Sequence, residues 1–331
     1  MVKVSVLMSV YNTEPKMLKE SIDSILAQTC KDWEMILIND CSTNIATLKY
    51  LTEISDPRIF IYNNKRNLGL TASLIKGLSL CNGKYIARMD ADDISMSYRL
   101  EKQIDYLEKN HSIIVGSYFS LIPAKRFKRF FTSDYHKQMA RMIFGNDCII
   151  HSSALWDRDA LIKRGISYNP LYLKSQDYGL WCDCLSKGIN IDICPEVLVG
   201  WRESENQITK IYAKEQRETR EEIRKKFIKE NYYISDEDLA VFVKQIDNEL
   251  CLHKIIEVKK ITEILVRFIN NNKNYLLKKE IYRYWFLQAI MRIKYKKKFE
   301  LLFSKLFWKS VLGTNIIYIL KCLKNELYIC G

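Results

Sequence analysis

The sequence predicts an α/β fold, a largely parallel sheet with helices on both faces, followed by a helical and basic C-terminal region. Three observations carry that reading. Short apolar runs alternate with segments of helical periodicity over residues 4–118. Each of the first four runs ends abruptly in a cluster of polar residues. The charge is distributed unevenly: the net charge is +13, and residues 251–331, with 17 Lys/Arg against 5 Asp/Glu, supply +12 of it. Alternating strand and helix is the pattern of a parallel sheet, whose crossovers are right-handed and whose ligands sit beyond the carboxyl ends of the strands. The charge asymmetry implies two regions with two jobs.

Taken in order, residues 4–10 form a β-branched apolar run, closed by the turn Tyr11-Asn12-Thr13. Glu14-Pro15 opens a helix through Leu18, Ile22, Ile25 and Leu26, with proline in the first turn, where its missing N–H is tolerated. A second run, 33–39, stops at Asp40-Cys41-Ser42-Thr43. Residues 44–54 read as a helix, 58–62 as a third strand, Asn67-Leu68-Gly69 as a loop and 71–81 as a helix ended by Asn82-Gly83. The strand 84–89 runs into Asp90-Ala91-Asp92-Asp93. A helix over 94–110 is signalled by Leu100, Ile104 and Leu107, and a strand over 113–118 follows. Residues 119–210 are less regular, with strands near 147–156 and 191–201 and a helix over 177–187. Residues 211–230 are highly charged and helix-compatible, and from 236 onward the pattern is helical throughout. The expected organisation is a catalytic-type domain over 1–210, divided into halves at 110/111, and a basic helical region over 211–331.

Composition excludes several classes. Of 331 residues 48% are hydrophobic, enough for a sizeable core, while 11 Gly and 5 Pro leave no room for long disordered linkers or a collagen-like segment. Ten cysteines include no Cys-x-x-Cys pair, and with four histidines no zinc-ligand spacing can be built. Reduced, mostly buried thiols of a cytosolic protein are expected. The N-terminus opens as a strand and lacks the zones of a signal peptide.

The sharpest chemical element is Asp90-Ala91-Asp92. Two carboxylates one residue apart at a strand end can face the same way and share a hard divalent cation. Taken alone, the same tripeptide fits an acidic loop capping the next helix. Asp40, a lone carboxylate at another strand end, can accept the imide N–H of a uracil or serve as a turn residue. Asn67 and Gly69 stand where a flexible backbone can approach a ligand closely.

Together these segments resemble the N-terminal half of the family 2 glycosyltransferases. The resemblance is carried by Val6-Leu7-Met8-Ser9-Val10-Tyr11-Asn12, Ile38-Asn39-Asp40-Cys41-Ser42 and Asn67-Leu68-Gly69-Leu70. It continues through Gly83-Lys84-Tyr85-Ile86-Ala87-Arg88-Met89-Asp90-Ala91-Asp92-Asp93, with Arg99 and Gln103 downstream, and more weakly to about residue 208. It implies a GT-A fold, a Rossmann-like mixed sheet, and an inverting transferase that takes a hexose, galactose or glucose, from a UDP-sugar donor. Tyr11, Asn12, Glu14, Asn67, Gly69 and Arg88 would line the nucleotide-sugar, Asp40 would meet the uracil, and Asp90 would lie near the ribose or donor sugar. Asp92, with Asp90, would hold Mn²⁺ or Mg²⁺ on the diphosphate. Three departures stand out: Asn39 and Cys41 replace a family acid and glycine, and Ile75 replaces a common Asn.

Ser175-Gln176-Asp177-Tyr178-Gly179-Leu180-Trp181 resembles the family's acidic pair followed by an aromatic and Leu-Trp, reduced here to Gln176-Asp177. By position Asp177 matches the catalytic base. An inverting transfer needs one carboxylate to take the acceptor's proton. At the start of an apolar helix, Asp177 also fits a plain cap. The resemblance further places His151 and Trp181 on the acceptor side and Arg202 near the pyrophosphate, although Arg202 also fits a bridge to a carboxylate such as Glu196.

Between 281 and 309 aromatic and aliphatic residues alternate with lysines at helical spacing, as in helices that lie in the headgroups of anionic bilayers. No apolar run approaches the roughly 20 residues needed to span, and 311–320 is interrupted by Gly313 and Asn315. The resemblance implies a UDP-sugar and a lipid-linked glycan acceptor of O-antigen or capsule synthesis as partners, and the tail adds an anionic membrane surface, with no nucleic acid, at the cytoplasmic face of the membrane. An ordinary helical subdomain and a nucleic-acid surface are the competing readings of the tail. Asn39 and Gln176 leave a non-catalytic nucleotide-sugar-binding or membrane-scaffolding protein as the alternative function.

Overall fold

The computed structural model describes residues 2–124, 127–128, 131–203, 212–247, 255–272, 277–281 and 283–285. The chain divides into two compact units, residues 1–135 with 147–223, and residues 136–146 with 224–331. Relative to the expected 210/211 boundary, the first unit is longer, and it gives up the stretch 136–146.

In the first unit β1 (Val4–Val10), β2 (Trp33–Asn39), β3 (Ile59–Asn63) and β4 (Tyr85–Arg88) pair in parallel in the order β3-β2-β1-β4. They are joined by α1 (Pro15–Leu26), α2 (Ile45–Glu53) and α3 (Leu70–Leu80). β2 is buried along its whole length and β1 at all but Ser9, as expected of strands covered on both faces. Val4, Val6, Met8 and Val10 share one cluster with Leu18, Ile22 and Ile25 of α1. Leu7, of opposite parity, faces α3, where a Cβ added to Gly77 would lie 2.3 Å from its Cδ1. Each such fully buried aliphatic side chain contributes about 1.5–3 kcal/mol. Gly83 is required by close approach: a Cβ there would sit 2.4 Å from the Ser5 backbone nitrogen.

Register aligns the strand ends. Val10 lies opposite Asn39, and Asn39 opposite Asn63, so the turns after β1, β2 and β3 stand side by side. The sheet continues through β8 (Leu155–Asp157), antiparallel to β4, and β6 (Ile114–Ile122), antiparallel to β8. It ends with β9 (Ile191–Arg202), parallel to β6, and β5 (Ile94–Ser95), antiparallel to β9; β7 (Phe127–Lys128) pairs with β6 off this path. β5 closes the far edge, yet the chain reaches it from the end of β4 in six residues, a reach of about 20 Å at most. The mixed half of the sheet must therefore curl, and a register shift in β6 at Ser117/Tyr118 and Tyr118/Phe119 supplies local bending. The curl sets the 89–93 turn against the end of β9.

The remaining helices of this unit are α4 (Arg99–Asn110), a 3₁₀ turn His151–Ser153, α6 (Arg158–Ile162), α7 (Gln176–Ser186) and the first part of α8 (Ala213–Asn231). Residues 94–98, expected as helix, instead form β5 and a turn, because Ile94 and Ser95 pair with Gly200 and Val199. The expected strand near 147–156 is reduced to Leu155–Asp157. α5 (Tyr135–Ile143) falls in the stretch read as irregular.

The second unit is helical where it is described: most of α5, the rest of α8, α9 (Asp236–Asp247), α10 (Ile255–Asn271) and helical residues at 277–281 and 283–285. Phe144 anchors its aromatic core, with ring centroids 5.7 Å from Phe242 and 6.3 Å from Trp285, which is why 136–146 belongs to this unit. Arg267 forks onto both carboxylate oxygens of Asp238 at 2.9 and 2.6 Å. Among the described residues no helix is long and apolar enough to cross a membrane. The stretches 286–309 and 311–320, which carry the membrane-surface expectation, lie outside the described residues. The described cysteines are all free, five of the seven buried, and burial pushes the Cys81 thiol up to about 12.

Candidate active site

The first corner of the site is built by the turns after β1, β2 and β3. Asn12 takes a left-handed conformation (φ 52°), and its Oδ1 accepts the backbone N–H groups of Thr43 and Asn44 at 2.7 and 2.9 Å. This ties the first turn to the second. Asn39 donates to Asn63 Oδ1 at 2.8 Å and accepts the Ser42 N–H at 3.0 Å. An amide can do both, whereas the acid usual in the family could only accept, so the Asn39 departure matches its neighbour Asn63. Cys41, where a glycine is usual, sits at φ 60°, a conformation that costs a non-glycine residue about 1–2 kcal/mol.

Asp40 is placed differently from the expectation of a carboxylate open to a base. It is 2% exposed. Its Oδ1 accepts from Asn64 Nδ2 (2.7 Å) and the Leu68 N–H (2.8 Å), and its Oδ2 accepts the Gly69 N–H (2.8 Å). The carboxylate thus folds the 64–69 loop against β2. Asn67 helps with an Asx contact to the Gly69 N–H at 3.1 Å, and Gly69 itself needs φ +83°. Glu14 likewise is a helix cap, accepting the N–H groups of Lys16 and Met17 at 3.2 Å each. Tyr11 stands 51% exposed at this corner, a ring face open to solvent.

The second corner is the 90–93 turn. Arg88, fully buried, reaches Asp90 Oδ1 through Nη2 at 2.5 Å, with the Asp90 side chain 34% exposed. Ser21 of α1 holds the Asp90 carbonyl at 2.9 Å. Asp93 is buried and accepts the Arg202 N–H at 2.9 Å; burial and the charges of Asp90 and Asp92 hold its carboxyl well above the usual range. Burial, then repulsion from Asp90, pushes Asp92 up to about 6, with Arg202 and Arg88 opposing. Arg99, sealed beneath the turn, bonds the Arg88 and Ala154 carbonyls at 2.9 and 3.3 Å, and burial lowers it to about 9. Arg202 donates through Nε to the Asp92 carbonyl and through Nη2 to Glu20, both at 2.6 Å. The bridge considered from sequence, to Glu196, is not formed: Glu196 takes Lys102 at 3.2 Å. Glu20 gave no signal in the sequence, because its partner is 182 residues away.

The third corner is α7. Asp177 stands in its first turn and accepts the Tyr178 N–H at 2.8 Å. Burial, then Asp147, pushes it up to about 6, while Arg220 pulls it down and the charge of Asp90 also reaches it. His151 Nε2 meets the Tyr168 hydroxyl at 2.7 Å, and burial, then Arg88, holds the imidazole well below its ordinary value, hence neutral. Trp181 has no exposed surface and packs edge-on against His151, centroids 6.3 Å apart. It supports the histidine and offers no face to an acceptor. Asp90 and Asp177 both act electrostatically on Tyr168, so the second and third corners belong to one electrostatic neighbourhood. Tyr168, Asp147 and Arg220 were not singled out from sequence; they lie in irregular or charged stretches without motif spacing.

Among the described residues no group of three or more His, Cys, Asp or Glu side chains is arranged to hold a metal by itself. The donor set at 90–92 nevertheless fits a hard cation bound jointly with phosphate: two oxygen carboxylates, partly exposed and mutually repelling, which is the way Mg²⁺ is commonly held.

The family model for glycosyl transferase family 2 matches residues 5–165. An uncharacterized glycosyltransferase of Haemophilus influenzae is 37% identical over 277 residues, covering 79% of this chain and 83% of that protein. The O-antigen biosynthesis glycosyltransferase WbnJ of Escherichia coli is 34% identical over 60% of this chain and 79% of its own length. WfaP of the same species, described as a UDP-Glc:alpha-D-GlcNAc-diphosphoundecaprenol beta-1,3-glucosyltransferase, is 30% identical over 56% of this chain and 71% of its own. The crystal structure of S. aureus TarS 1-349 in complex with UDP-GlcNAc superposes with a TM-score of 0.61 over 88% of this chain and 89% of that one, at 15% identity, a likeness of fold. With a GT-A sheet, the strand-end turns and these relatives together, the chain belongs to the family 2 glycosyltransferases and is related to the enzymes of O-antigen and polysaccharide biosynthesis.

Proposed function

We propose that the chain transfers a hexose, glucose or galactose, from a UDP-sugar to a glycan carried on a lipid diphosphate, with inversion at the anomeric carbon. The observation that carries the reading is the placement of the carboxylates: Asp90 and Asp92 stand close together at a partly exposed turn, and Asp177, in the first turn of α7, stands apart from them within the same electrostatic neighbourhood. Asp92, with Asp90, would hold Mn²⁺ or Mg²⁺ on the donor diphosphate. When bound, such an ion supplies Lewis-acid stabilisation of the charge that grows on the leaving group.

The protein's own residues do the rest. Tyr11 offers its ring to the base, and the 64–69 loop, folded by Asp40, shapes the wall of the nucleotide site. Arg88 holds Asp90 in place toward the donor sugar. The acceptor hydroxyl attacks the anomeric carbon as the bond from that carbon to the diphosphate oxygen breaks. Its proton passes to Asp177, and UDP leaves with the bonding electrons. Neutral His151, fixed by Tyr168, lies on the acceptor side. The basic, aromatic tail binds the enzyme to the inner face of an anionic membrane, where a lipid-linked acceptor is presented. The relative WfaP, whose name specifies UDP-Glc and a diphosphoundecaprenol acceptor, supports that donor and acceptor class.

The test is a screen of UDP-glucose, UDP-galactose, UDP-GlcNAc and UDP-GalNAc for UDP release with lipid-diphosphate GlcNAc or GalNAc, with and without Mn²⁺. Acceptor-dependent release from a hexose donor is expected. UDP binding without release from any of them would favour a sugar-nucleotide-binding protein that has kept the fold.

A further inference from the structure

Helix α8 begins after the last motif of the family resemblance, yet its first turns are built into the ground beneath Asp177. The Gln216 side chain donates to the Lys174 carbonyl at 2.8 Å, and the Ser175 hydroxyl donates to the Gln216 carbonyl at 3.2 Å. The Lys174 ammonium lies 3.2 Å from the Tyr212 ring centroid. One turn further along α8, the Arg220 guanidinium covers the Tyr178 ring at 4.6 Å and donates to Asp147 Oδ2 at 3.1 Å. Arg220 and Asp147 are 20% and 30% exposed, so water screens them only in part.

We propose that Arg220 and Asp147 form a positioning pair for Asp177, the arginine stabilising its carboxylate and the aspartate opposing it, so that the base holds a proton weakly enough to take one at neutral pH and strongly enough to keep it through the transfer. This rests on the assignment of Asp177 as the base. The geometry explains why the pair is needed. Asp177 receives one backbone hydrogen bond, from Tyr178, in a largely desolvated place, where a lone carboxylate would remain protonated. A full ion pair with Arg220 alone would leave it too weak a base. Asp147, by drawing on the same guanidinium, holds the balance between them. Asp90 from the strand-end turn and Tyr168 also act electrostatically with Asp177. Asp90 raises its proton affinity, and Tyr168, pushed up by burial, stays neutral at neutral pH. The stretch 212–223 is thus part of the catalytic apparatus, and α8 is more than a connector to the basic tail.

The pair can be read directly from the titration of Asp177 in the full-length, metal-free protein labelled with ¹³C at aspartate carboxyl carbons, the Asp177→Asn spectrum identifying the resonance. Arg220→Gln is expected to raise the midpoint by about one unit and Asp147→Asn to lower it by about one unit. Arg220→Lys, which keeps the charge, should stay nearer to wild type. Opposite shifts cannot come from loosened packing. Midpoints that stay put in both variants, or move the same way, overturn the proposal. UDP release separates this from the base assignment. Wild-type release in Asp177→Asn removes the base, whereas an inactive Asp177→Asn beside unmoved midpoints removes the pair alone.

Discussion

Two strand ends of the same sheet carry aspartates that look alike in sequence and are used in opposite ways. Asp40, after β2, spends its carboxylate on three hydrogen bonds from the 64–69 loop and is sealed from solvent. Asp90 and Asp92, after β4, remain partly exposed, and the charge of Asp90 raises the proton affinity of Asp92. A carboxylate satisfied by backbone N–H groups is part of the scaffold. A pair left in mutual repulsion needs positive charge nearby, supplied in part by Arg88 and Arg202, and would gain further from a bound cation. One corner is therefore closed by hydrogen bonds within the fold, and the other keeps its carboxylates partly exposed.

The comparison can be broken at several points. The largest expected effect is at the open corner and its opposing base. Asp92→Asn should cost roughly 10²–10³-fold in UDP release, the scale of losing one stabiliser of transition-state charge, while the thermal midpoint holds or rises because a like-charge contact is gone. Unchanged release, or a large loss of stability, would make Asp92 scaffold like Asp40. Asp177→Asn should lower transfer by roughly 10²–10⁴-fold with a midpoint at or above wild type, since the amide keeps the Tyr178 hydrogen bond without a desolvated charge.

The pH profile follows from the same carboxyl. Its folded value is raised to about 6, and the base works deprotonated. Release should therefore be level above about 6 and fall tenfold per pH unit below it, in steady-state rates taken at saturating donor. A profile flat down to the ordinary carboxylate range would exclude Asp177 as the titrating base.

At the closed corner the expected loss is of stability. Asp40→Ala leaves the Leu68 N–H without its acceptor and takes one of two acceptors from the Gly69 N–H and the Asn64 amide, so denaturant unfolding should show a loss of about 1–3 kcal/mol. The smallest effect is expected one residue on. Cys41→Gly removes a side chain from a left-handed position and should stabilise by about 1 kcal/mol, measured the same way, with activity unchanged.

The parallel half was readable because each of β1 and β2 is buried on both faces and stands in the sequence as a mostly apolar run closed by polar residues. β5 was not, since two residues carry no periodicity and Ile94-Ser95 pairs only after the sheet has curled. α5 was missed because its apolar face serves the second unit, whose core is drawn from residues far along the chain. Asp90, Asp92 and Asp177 stand out in the sequence by residue type and spacing, and the structure brings them into one electrostatic neighbourhood. The backbone hydrogen bonds of Asp40 and Glu14 were not legible, because a carboxylate at a strand end reads the same whether it faces a ligand or a neighbouring backbone. Nor could the Arg202–Glu20 bridge be foreseen, as nothing local to either residue points to the other.

The most direct measurement is the anomalous scattering of manganese in a crystal grown with UDP and Mn²⁺. One strong peak is expected between the diphosphate and the carboxylate of Asp92, with Asp40 still bonded to the 64–69 loop. A peak at Asp40, or a diphosphate bound with no metal beside the 90–92 turn, would contradict it.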